Sequence, residues 1–130
     1  MKNGWWWNAT ILLFLGGIKM NVYDTANKLA QEIKQSEEFN NYKKLKKEVE
    51  SNLELKEKLD NFEKLRYEVQ IASIQGLEKD NQKATDMQKA YIELIQNDVM
   101  KKYFDAELKF NVLLTDVNKI IGDAVQDLIK

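Results

Sequence analysis

Tyr103, Phe110, Val117 and Ala124 recur every seventh residue, with Ala106, Leu113 and Ile120 interleaved. Such a seam has the a/d character of a helix that packs lengthwise against another helix. The chain contains no proline, so nothing forces this helix to stop early. From Asp98 to Ile129 it would run about 48 Å at 1.5 Å per residue. A compact chain of this size has a radius of gyration of roughly 13 Å, so the helix overhangs it. Either the domain is elongated or a second subunit covers the overhang. The seam favours the second: a homodimer or larger assembly joined through Tyr103, Ala106, Phe110, Leu113, Val117 and Ile120.

Upstream, the same period recurs between weak breakers. Ala26, Leu29, Ala30 and Ile33 fall on one helical face, with Asp24 at the positive end of the helix dipole. Ser36 before Glu37-Glu38 reads as an N-cap, followed by a face of Phe39, Tyr42, Leu45 and Val49. Ser51-Asn52 caps a third helix carrying Leu55, Leu59, Phe62, Leu65, Val69 and Ala72. That helix bears a second apolar row of Tyr67, Ile71 and Ile74, which predicts burial on two sides. The pattern lapses around Gly76, and residues 78–82 read as a polar turn. A fourth helix shows Met87, Ala90, Tyr91, Leu94 and Ile95, and Asn97 or Asp98 caps the last. The expected fold is therefore all-α: an elongated antiparallel bundle of four to five helices with a long C-terminal helix, dimerising.

Composition removes much chemistry. There is no Cys and no His, and Arg66 is the single arginine. Thiolate and imidazole metal sites are excluded, as are Cys-His and Ser-His nucleophilic pairs. A formal net charge of −1 lacks the basic excess of a general nucleic-acid binder, so no direct nucleic-acid contact is expected. Zero cysteines means no disulfide framework and is compatible with a reducing cytoplasm.

Residues 1–19 break the profile. All three tryptophans, Trp5 to Trp7, lie here, and the apolar stretch from Trp5 to Ile18 is 14 residues. A bilayer span needs about 20. Lys2 and the length suit a signal peptide, but Gly16-Gly17-Ile18-Lys19 is a poor cleavage site. Gly16-Gly17 can be encoded by a purine-rich ribosome-binding sequence, followed by an A/T-rich spacer before the Met20 codon. Residues 1–19 are thus read as a leader and 20–130 as a single helical domain without a membrane segment. A signal or anchor segment, making a membrane-tethered or secreted helical protein, is the alternative. Without Lys2 and Lys19 the chain holds 18 basic against 21 acidic residues.

Few side chains are candidates for chemistry. Lys43, Lys44, Lys46 and Lys47 form the densest basic run, read as a solvated helix face because Tyr42 and Leu45 turn inward. Glu32, Glu37, Glu38, Glu63, Glu68, Asp105, Glu107 and Asp116 read as surface carboxylates. A di-metal carboxylate bundle would need Glu-x-x-His on facing helices. Arg66 either pairs a carboxylate across an interface or snorkels over apolar surface. With Tyr67, Ile71 and Ile74 it marks a candidate partner surface. No catalytic, cofactor or metal residue is assigned.

With the helices placed, residues 20–130 resemble the YlbF/YmcA family of small helical bacterial proteins, and most its YheA-like branch. The resemblance rests on Met20 to Ala30, the Ser36-Glu37-Glu38-Phe39 joint with Tyr42, the Gly76 break, and the stretch from Ala106 through Leu113-Leu114-Thr115-Asp116-Val117-Asn118-Lys119-Ile120-Ile121. It implies an oligomerising, non-enzymatic cytoplasmic protein, a regulatory or scaffolding partner linked to mRNA processing and developmental control. Its partners would be a second copy of itself and another regulatory protein of an mRNA-processing complex. Relatives carry cysteines for an iron–sulfur cluster, and this chain has none, so no cofactor is expected. Asn-Pro turns common in the family are replaced by Ser51-Asn52 and Asn97-Asp98.

Overall fold

A computed structural model describes residues 21–76 and 82–129, and among these every regular element is helical. The expected leader lies outside the described residues, as does most of the expected polar turn. The chain falls into two compact units, one ending at Ser36 and one beginning at Glu37.

The first unit holds α1, Val22–Gln35. Asn21 caps it, its side-chain oxygen accepting from the backbone N–H of Tyr23 at 2.9 Å and Asp24 at 3.3 Å. Two of the N–H groups that a helix start leaves orphaned are thereby satisfied. Ser36 closes the helix in extended conformation, its hydroxyl donating to the Ile33 carbonyl at 2.6 Å.

The second unit contains α2 (Glu37–Glu50), α3 (Leu53–Ile74), α4 (Gln82–Leu94) and α5 (Asp98–Ile129). Two of the expected caps are in place. Asn52 accepts from Leu55 N–H at 3.2 Å, and Asn97 accepts from Val99 and Met100 N–H at 2.9 and 3.2 Å. Of the two candidates, Asn97 therefore caps α5. Gly76 follows α3 with φ +72°, a left-handed turn in which a Cβ would be strained although space surrounds it.

Packing is most extensive between α2 and α5 and between α3 and α4. Phe39 meets Phe110, and Tyr42 meets both Tyr103 and Phe110. Along α3, Lys58, Phe62 and Glu68 face Glu93, Tyr91 and Lys83 of α4 in that descending order. Phe104 joins the two helix pairs: its ring lies 5.4 Å from Phe62, 5.1 Å from Tyr91 and 5.4 Å from Tyr103. Edge-on and tilted arrangements of this kind add roughly 0.5–1.5 kcal/mol per pair beyond area burial. Around this aromatic junction the core gathers Leu45, Val49, Leu55, Leu59, Leu94, Met100 and Ala106.

Among the described residues, the second apolar row of α3 is not fully buried. Tyr67 and Ile74 are 63 % and 74 % exposed, and Ile71 is half-buried. Length contributes: α4 has 13 residues against the 22 of α3.

Candidate functional site

Two features of the second unit stand out: a polar cluster where α2, α3 and α5 meet, and the apolar stripe of α5. Glu107 sits on α5 between the inward-turning Tyr103 and Phe110, one helical turn from each. That position draws its carboxylate inside, leaving the side chain 14 % exposed. The sequence groups Glu107 with the surface carboxylates; the structure corrects this, because Tyr103 one turn before it is buried and Phe110 one turn after it packs on Phe39 and Tyr42.

Arg66 of α3 answers it. Nη1 donates to Oε1 at 3.0 Å and Nη2 to Oε2 at 3.1 Å, while Nη2 also reaches Glu63 at 2.6 Å. The guanidinium lies 5.2 Å from the Phe62 ring centroid. Arg66 thus does both things open to it: it covers an aromatic face and pairs a carboxylate, within the same chain. The planar fork makes such two-point pairing possible, which Lys cannot reproduce. Hydrogen bonding to Glu107 drives the Arg66 pKa further up from its already high value, so it stays charged.

Tyr42 donates to Glu107 Oε2 at 3.4 Å, and its oxygen lies 3.4 Å from that of Tyr103. Both contacts are long for hydroxyl bonds. Burial raises the pKa of both phenols, with the hydrogen bond to Tyr42 next for Tyr103, and the Glu107 charge adds to each. Neutral phenols beside an ion pair make a satisfied structural network. They offer no group poised to exchange protons near neutral pH.

The expected seam divides. Tyr103 and Ala106 are buried in the core, and Phe110 packs on Phe39 and Tyr42. Leu113 and Val117 are half-buried, and Ile120 is 70 % exposed. Beyond it Ile121, Val125, Leu128 and Ile129 are exposed as well. The same face that enters the core at one end of α5 is therefore uncovered at the other.

Lys43, Lys44, Lys46 and Lys47 are exposed, and Lys46 lies 5.9 Å from the centroid of the Tyr42 ring. A surface depression of about 270 Å³ between α2 and α5 mixes Lys44 and Lys102 with Glu48 and Asp105 above Leu45. Opposite charges there compensate one another and create no single-sign field. Among the described residues no group of acidic side chains is placed to hold a metal ion, and no helix is long and apolar enough to cross a membrane.

The pattern of the family described as control of competence regulator ComK, YlbF/YmcA, matches residues 22–126. The chain belongs to this family. Among its relatives, a UPF0342 protein of Alkalihalophilus pseudofirmus is 32 % identical over 108 residues, covering 83 % of this chain and 92 % of the relative. One of Halothermothrix orenii is 38 % identical over 107 residues, covering 78 % and 86 % respectively. A third, of Desulfitobacterium hafniense, is 30 % identical over 113 residues, covering 85 % and 89 %. The YlbF/YmcA match spans α1 through nearly all of α5, including both the Arg66–Glu107 pair and the stripe. The family is described by regulation rather than by a reaction.

Proposed function

We propose that this chain is a non-enzymatic, cytoplasmic regulatory or scaffolding protein of the YheA-like branch, working as a self-associating antiparallel helical bundle. Its task is to bind other proteins, in the control of mRNA processing and development. The observation that carries this reading is the α5 stripe. Ile120, Ile121, Val125, Leu128 and Ile129 lie exposed along one end of a 32-residue helix. A contiguous apolar patch on a folded chain marks an interaction surface. The competence-regulator description of the family supports a regulatory outcome. The Arg66, Tyr67, Ile71 and Ile74 surface is a second contact region, through Tyr67 and Ile74, since Arg66 is engaged with Glu63 and Glu107.

Affinity capture of the tagged chain from its native host, with mass spectrometry, tests the reading. A specific partner protein is expected, and deleting the gene should shift processing of polycistronic transcripts. If only the chain itself is recovered and the transcriptome is unchanged, the regulatory reading fails.

A further inference from the structure

The end of α5, half-buried at Phe110, Leu114 and Val117 and exposed from Ile120 onward, has its own heptad frame. Leu114, Ile121 and Leu128 recur every seventh residue, and Phe110, Val117 and Ala124 form the alternate row. These are the two rows that a coiled coil buries.

Turned end for end about a point beside Lys119, the stripe fits itself. Phe110 then meets Leu128 of the second copy, Leu114 meets Ala124 of the second copy, and Val117 meets Ile121 of the second copy. Every layer is apolar, and large residues face smaller ones. Ile120 meets Ile120 of the second copy on one flank of the axis. Charge agrees with this direction. Lys109 and Asp127 are eighteen residues apart, five turns at about 3.6 residues per turn, and so share one flank near opposite ends. Reversal brings Lys109 of one copy within side-chain reach of Asp127 of the second copy, twice by symmetry. The Lys109 side chain is 64 % exposed and bonds Asp105 one turn earlier, and its ammonium keeps further N–H donors for a carboxylate of the second copy.

We propose that the uncovered end of α5 is occupied by the same segment of a second copy, antiparallel and in this register. The proposal rests on the self-association put forward above and adds its direction and pairing to it. It makes the bundle's own core stripe continuous with the contact between copies: α2 packs on Phe110, which one chain leaves half-buried, and the second copy's α5 completes its cover and that of the stripe beyond it.

Because the chain has no cysteine, disulfide mapping on the full chain is free of background. Ile120→Cys is a mild change at an exposed position, with Gln126→Cys, on the outward face of the helix, as its control. Under mild oxidation Ile120→Cys should give a covalent dimer and Gln126→Cys should not, while light scattering reports twice the monomer mass for both. Asp127→Lys should weaken self-association about tenfold, and the pair Lys109→Glu with Asp127→Lys should restore it. A dimer mass without the Ile120 crosslink overturns this register but leaves self-association standing. A folded monomer overturns both. An intrachain disulfide between Leu29→Cys and Ile121→Cys in such a monomer would assign the stripe to α1 instead.

Discussion

Arg66 on α3 and Glu107 on α5 face each other through two hydrogen bonds of 3.0 and 3.1 Å, one from each terminal nitrogen. The pair joins two helices that also meet through the Phe62–Phe104 contact. It leaves the carboxylate better shielded than the guanidinium, with side-chain exposures of 14 % and 38 %.

Removing one partner should therefore cost more than an ordinary surface pair. Arg66→Ala leaves Glu107 charged and largely covered, and should destabilise by about 1–3 kcal/mol, discounted from fully buried pairs because Arg66 is part-exposed. Arg66→Lys should recover only part, since it keeps charge without the fork. Urea denaturation followed by circular dichroism measures both.

Alkali should unfold the protein selectively. Tyr42 and Tyr103 have raised pKa values in the folded state, mainly through burial. The folded chain therefore holds phenolic protons that the unfolded chain releases above about pH 10. Stability contributed by these groups is complete below that pH and is lost as pH rises through the folded values. Denaturant midpoints at pH 8, 10 and 11 should fall in that order. Replacing both tyrosines by Phe should flatten the fall.

Much of this architecture is legible in the residues. The Asn52 and Asn97 caps, the Gly76 break and the reach of α5 to Ile129 follow from capping chemistry and period alone. Asn21 also caps, although Asp24 in the first turn was the more visible signal. Glu107 was hidden because its role depends on which helices become neighbours: nothing local distinguishes it from Asp105 or Asp116. Its spacing from Tyr103 and Phe110 was the one available clue. The seam was legible as a stripe, but how far α2 covers it depends on the length of α2.

Core and stripe should respond differently to the same kind of change. Met100 and Val49 are fully buried, so Met100→Ala should cost about 2–5 kcal/mol by leaving a cavity. Thermal melts of Met100→Ala and of Val125→Ala, at a position 44 % exposed, should differ by well over the shift expected for a surface change.

Gly76 should resist replacement despite open space around it. Its φ of +72° favours glycine, so Gly76→Ala should destabilise the end of α3 by about 1 kcal/mol, with Gly76→Asn milder. Hydrogen exchange at the last turn of α3 reads the effect locally.

Whether the exposed end of α5 binds protein is tested most directly by the mass in solution of the full chain beside its Ile121→Lys variant. Ile121 is 52 % exposed, so the variant keeps its helical circular dichroism if the stripe serves association and not the fold. The expected result is twice the 15.3 kDa chain mass for the parent and a helical 15.3 kDa monomer for the variant. A parent that is itself a folded 15.3 kDa monomer at micromolar concentration would contradict it.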